Sequence, residues 1–129
     1  MKLFSKAEIQ KIRQVVRPDG GTYLITFRNR HGPTELSALW KDLLSELGIQ
    51  QTRFVNWWSG SGTVGLLESD MEGGGTVYGQ WMLCDHNELL GVFEVSEADV
   101  VNIKDGFDSG NVTSVAMRAI RIGETGDQD

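Results

Sequence analysis

Leu36, Leu39, Trp40, Leu43, Leu44 and Leu47 recur at steps of three and four along the chain. That spacing predicts an amphipathic helix that buries a broad apolar stripe. Pro33 suits its first position, and Gly48 is its expected stop. An earlier helix is predicted from Ser5, because Ser5 and Glu8 have capping-box spacing. Ile9, Ile12 and Val16 share one of its faces, and Pro18-Asp19-Gly20-Gly21 turns the chain after it. Between the two helices, Thr22 to Arg28 is rich in β-branched and aromatic residues and reads as a strand, with Tyr23, Ile25 and Phe27 on one face. Arg53 to Trp58 reads as a second strand. Strand, helix and strand in this order suggest a crossover unit, which pairs the two strands in parallel or leaves a gap between them.

The pattern changes after residue 62. Thr63–Glu68, Thr76–Cys84, Glu88–Val95 and Val112–Ile122 all read as strands joined by Gly-rich or Asp/Asn-rich turns. The first three are expected to follow one another as an antiparallel meander. Ser96 and Asp99 can cap a short helix from Glu97 to Ile103, although Val100-Val101 fits a strand equally well, and Asp105 to Asn111 reads as a loop. Gly65, Gly79 and Gly91 fall inside strands, where glycine marks a bulge, a sharp bend or a close approach. Side by side they would line a trough for a small apolar molecule; a strongly coiled sheet is the more economical account. The expected fold is α+β: a mixed, mostly antiparallel sheet of five or six strands, strongly bent, with two helices packed on one face.

Length and composition set the frame for function. The 129 residues, 40% of them apolar, fit one domain over 1–122. Residues 123–129 read as a disordered acidic tail. No apolar run approaches the ~20 residues of a membrane helix, and the N-terminus lacks the pattern of a signal peptide. Cys84 is the only cysteine, so no intrachain disulfide can form, and a cytoplasmic location is expected. The net charge of −6 is unevenly spread. Residues 1–58 carry nine Lys/Arg against five Asp/Glu, whereas residues 59–129 carry three against thirteen. The acidic half suits a solvated surface, or one that meets a basic partner or mimics nucleic acid.

The motifs with chemical potential are few. Gly60-Ser61-Gly62-Thr63-Val64-Gly65 has dinucleotide-loop spacing, but a strand follows where that fingerprint requires a helix. Gly73-Gly74-Gly75 lies close to the carboxylates Asp70 and Glu72 and away from Lys or Arg, which disfavours phosphate; a mobile hairpin loop is the expectation. Cys84-Asp85-His86 contains a nucleophile, an acid and a base. Neighbours on an extended segment point to opposite sides, so a hairpin turn is the expectation and a catalytic cysteine is not. His31 and His86 are far apart in sequence, and Asp105, Asp108 and Asn111 do not match a calcium loop, so no metal or other cofactor is expected.

The tryptophans carry more weight. Trp57 and Trp58 are neighbours on a strand, so one faces the core and the other must be covered or exposed. Trp81 shares a strand face with Val77, Gly79 and Leu83. These features point to a non-enzymatic binding protein, an acidic inhibitor or immunity-type partner of a basic protein. Its contact surface would include Asp70, Glu72, Asp85 and Glu88 with one exposed tryptophan. The alternative is a small-molecule binder or small enzyme on the glycine-bent sheet, using Trp57 or Trp58, Tyr78, Trp81, Asp85 and His86. A homodimer whose positive half meets the negative half of its neighbour is a third reading. Nucleic acid is disfavoured as a partner, despite the stripe of Lys6, Lys11, Arg13 and Arg17.

Overall fold

The computed structural model describes residues 2–50, 56–59 and 63–108, with backbone alone for 56–59 and 106–108. The expected strand Val112–Ile122, the acidic tail, the first residues of the strand expected at Arg53 and the glycine turn at 60–62 lie outside the described residues.

The chain runs α1 (Lys6–Arg13), β1 (Thr22–Asn29), α2 (Pro33–Glu46), β2 (Asn56–Ser59), β3 (Val64–Asp70), β4 (Thr76–Leu83), β5 (Glu88–Glu94) and α3 (Glu97–Asp108). Local chemistry sets several of these boundaries. Ser5 Oγ accepts from the Glu8 amide and Glu8 Oε1 accepts from the Ser5 amide, a complete capping box. Gly48, at φ +78°, ends α2 in a left-handed turn. There the Ile49 amide donates to Leu44 O and the Gly48 amide to Ser45 O, the paired bonds of a Schellman stop. Ser96 and Asp99 cap α3 reciprocally in the same way as Ser5 and Glu8 cap α1.

Four strands of seven or eight residues form the body of a mixed sheet, in the order β3-β4-β1-β5. The four-residue β2 pairs antiparallel with β3 at the margin. β1 is parallel to β4 and antiparallel to β5. The β1–α2–β2 crossover therefore leaves a gap, filled by β3 and β4. Of the expected meander, β3 and β4 do pair. β4 and β5 do not, because β1 is inserted between them.

The expected five- to six-stranded sheet with two helices on one face is thus corrected. Among the described residues the body has four full strands, with the four-residue β2 at its margin, and there are three helices. Tyr23, Ile25 and Phe27 of β1 pack with Leu36, Leu39, Trp40, Leu43 and Leu44 of α2 and with Ile9 and Ile12 of α1 on the first face. The alternate residue Leu24 packs with Val64, Leu66, Tyr78 and Ile103 on the second face. α3 covers that face, and it continues through Asp105–Asp108, which the sequence suggested was loop. Lys104 ties α3 to β3 by an ion pair with Glu68 at 2.7 Å and lies over the Tyr78 ring, 5.2 Å from its centroid. The α+β class stands. Among the described residues, no helix is long and apolar enough to cross a membrane.

The strand glycines form no trough, although the β1–β5 register shifts beside Gly91, between Thr26 and Phe27. Each glycine is a notch covered by an aromatic ring. A Cβ at Gly65 would meet the Trp81 indole at 2.5 Å, and one at Gly79 would meet Trp40 at 2.6 Å. A Cβ at Gly91 would meet the Phe93 ring at 2.2 Å. Real Cβ contacts do not come so close, so these positions admit only glycine without repacking. Gly65 and Gly79 serve the first face and Gly91 the second, so the three do not share one surface.

Candidate functional site at the carboxyl end of β1 and β4

β1 and β4 are the parallel pair, with Asn29 opposite Leu83 in register. Both chains leave the sheet at the same end, the end where open sheets place ligands. Loop 30–32 follows β1, and turn 84–87 follows β4 and leads into β5.

The two connections are fastened to each other. The Cys84 amide donates to Asn29 O at 2.8 Å, and the Arg30 amide donates to Asn87 Oδ1 at 3.1 Å. With that oxygen accepting, the Asn87 NH2 group donates to His31 Nε2 at 2.8 Å. His31 Nδ1 then carries the proton directed at Glu35, 2.8 Å away. Asn29 is fully buried and closes the loop, donating to His31 O and accepting from the His31 amide. This bracing ties turn 84–87 to loop 30–32.

Within the turn the backbone bends at Asp85 and His86. The bend defeats the expectation that Cys84, Asp85 and His86 diverge, because that argument held only for an extended segment. Asp85 Oδ1 lies 2.7 Å from His86 Nδ1 and 3.4 Å from Cys84 Sγ. Cys84 Sγ lies 3.8 Å from His86 Nδ1. On the opposite edge of the imidazole, Nε2 faces Glu88 Oε1 at 3.4 Å, and that same oxygen is paired with Arg28 at 3.3 Å. The hydrogen bond with Asp85, and then that with Glu88, raise the His86 pKa above its ordinary value. The bond with His86, followed by that with Cys84, lowers the pKa of Asp85. The three atoms that could hold a cation, one each from Cys84, Asp85 and His86, all lie within 4.8 Å of one another.

The other sequence-selected residues fall elsewhere. Asp70 ends β3 and accepts from Thr76 Oγ1, and Glu72 lies in the β3–β4 turn. Both sit at the start of β4, whereas Asp85, His86 and Glu88 sit beyond its end, a span of roughly 23 Å for an eight-residue strand. The four carboxylates therefore do not form one patch. Tyr78 is buried on the second face, where burial first, and then Glu68 beside it, push its phenol well above the usual range. Trp81 is buried on the first face over Gly65. Trp57 and Trp58 pair with Leu67 and Leu66 in β2, and their side chains lie outside the described residues. Cys84, Arg28 and Asn87 were not among the selected residues. The Cys-Asp-His run was a visible signal for the first of them. Asn87 adjoins that run, but its bonds to Arg30 and His31 had no local signal, and Arg28 reaches the site only through the β1 insertion. Comparison with protein-family models, with curated proteins and with solved structures found no match.

Proposed function

We propose that this chain is a non-enzymatic binding protein that presents an acidic face to a basic protein partner, as an inhibitor or immunity-type protein does. The observation that carries this reading is Leu83, which is 49% exposed at the end of β4, immediately before the braced turn. Among the described residues, only Leu83 and Val101 are large hydrophobics left exposed. Asp85, with 91% of its side chain exposed, and the half-exposed Glu88 follow Leu83 within five residues. An apolar anchor beside carboxylates divides the work of recognition. The charges govern association rate, and the anchor governs dissociation. The acidic second half of the chain supplies a field of the same sign. Asp70 and Glu72 stand too far away to join this surface, so it is narrower than the one expected from sequence.

The test uses immobilised protein in three forms: wild type, Leu83→Asp, and the pair Asp85→Asn/Glu88→Gln. Each is exposed to lysate of the native source, the retained proteins are identified, and binding kinetics are then measured. A basic protein retained by wild type and lost with Leu83→Asp is the expected result. The doubly neutralised form should associate more slowly and with a flatter salt dependence. Retention of the same proteins by all three forms refutes the reading.

A further inference from the structure

The geometry points to a transition-metal site in turn 84–87, with Cys84 Sγ, Asp85 Oδ1 and His86 Nδ1 as ligands and Glu88 as the carboxylate that orients the histidine. Two independent observations support it. The first is the set of distances between the ligand atoms. Tetrahedral zinc, with bonds of about 2.3 Å to sulfur and 2.0–2.1 Å to nitrogen and oxygen, needs ligand–ligand separations of roughly 3.6 Å for S–N, 3.5 Å for S–O and 3.3 Å for N–O. The structure holds S–N at 3.8 Å and S–O at 3.4 Å. N–O is 2.7 Å because those atoms share a proton, and a cation in the proton's place would open that edge by about 0.6 Å.

The second observation lies on the far side of the imidazole. A metal-bound histidine characteristically gives its other ring N–H to a carboxylate, which fixes tautomer and ring orientation. Here Nε2 faces Glu88, which Arg28 holds in turn. Once a cation replaces the proton shared with Asp85, the Nε2 proton stays directed at Glu88 and the Nδ1 lone pair is free to bind the cation. The hydrogen bonds from Cys84 to Asn29, from Arg30 to Asn87 and from Asn87 to His31 restrain the turn before any ion arrives. A thiolate, an imidazole and a carboxylate together suit zinc or a similar borderline-soft dication, and not calcium or magnesium. Three protein ligands leave one position for water or an exogenous group. This inference does not depend on a protein partner, so it can fail or succeed apart from the proposed function.

Cobalt(II) titration of the whole chain tests it, since cobalt reports thiolate ligation by a near-ultraviolet charge-transfer band. One equivalent should saturate that band, zinc should abolish it, and Cys84→Ser should never show it. His86→Ala should weaken binding at least tenfold, and Glu88→Gln by about 10-fold, the usual range for loss of an outer carboxylate. Circular dichroism checks that each variant folds. On wild-type protein alone, zinc should slow alkylation of Cys84 by iodoacetamide at least tenfold. Absence of a thiolate band, unchanged affinity in Cys84→Ser, or no protection from alkylation each overturns the site.

Discussion

Alanine at position 79 would place a methyl carbon 2.6 Å from Cζ3 and 2.7 Å from Cη2 of Trp40, and 3.2 Å from Cε1 of Phe27. To reach ordinary contact the indole must retreat by almost 1 Å. Its surroundings resist that. Trp40 is fully buried, stacks on Phe27 at 12° between planes, and donates from Nε1 to Ser69 Oγ at 3.0 Å. Two effects compete in Gly79→Ala. Replacing a strand glycine lowers the entropy of the unfolded chain, a gain of about 0.5–1 kcal/mol. Overpacking a closed core costs about 1–3 kcal/mol. The clash involves rigid rings and not the end of a flexible chain, so the cost should win and leave a net loss of roughly 1–2 kcal/mol. Urea denaturation should show a lower midpoint at unchanged slope. The attribution can be checked with Trp40→Phe, since a phenyl ring ends short of the two atoms in conflict. Alone, that change loses volume and the Ser69 bond, and so destabilises. In its background, Gly79→Ala should cost less, with a coupling of at least about 0.5 kcal/mol. A neutral or stabilising Gly79→Ala, or strict additivity with Trp40→Phe, would refute the notch.

Leu43→Ala removes a side chain that is 3% exposed at the centre of the α2 stripe, and should cost about 2–5 kcal/mol in urea or thermal unfolding. Ser5→Ala takes away half of the capping box and should cost about 0.5–2 kcal/mol by the same measurement. Glu8 gives a pH dependence. Desolvation raises its pKa, but the Ser5 and Leu89 amides outweigh that and hold it below the usual carboxylate value in the folded chain. A carboxylate lowered on folding contributes stability above its unfolded pKa, and that contribution disappears as pH falls through the folded pKa. Glu8→Gln should therefore cost on the order of 1 kcal/mol at pH 7, and the gap from wild type should close in acid; a gap equally wide at both pH values contradicts the assignment.

Glu8 also shows how far the sequence could be read. Its partnership with Ser5 is a three-residue spacing and was legible. Its second bond, from Oε2 to the Leu89 amide on the margin strand β5, spans 81 residues and left no local trace. The same division runs through the fold. The α2 stripe, the stop at Gly48 and the Ser96–Asp99 cap follow from short-range periodicity and capping. The insertion of β1 between β4 and β5 does not, because Thr22–Asn29 has the same apolar alternation whichever strands flank it. The face shared by Val77, Gly79 and Trp81 was readable. That Trp81 lies over Gly65 required knowing that these residues are paired. In the candidate site the Cys-Asp-His run was plain, but whether its side chains converge depends on a bend that His31 and Asn87 brace from 56 residues apart.

The β1 insertion also determines what the lopsided charge can do. It brings Arg28, from the positive half, to Glu88 of the negative half within one chain. Part of the charge asymmetry is thus satisfied internally. Glu88 is held between Arg28 and His86, whereas Asp85 is almost wholly exposed. The two carboxylates therefore differ in setting: Glu88 is shared between Arg28 and His86, and Asp85 bonds to His86 but is otherwise open to solvent. Asp85 is the group that both the partner surface and the metal site require. A dication held by Cys84, Asp85 and His86 would remove negative charge from the face that a basic protein must meet. Ion and partner would then oppose each other by charge as well as by space, and occupancy of the turn would weaken the association that the acidic half promotes.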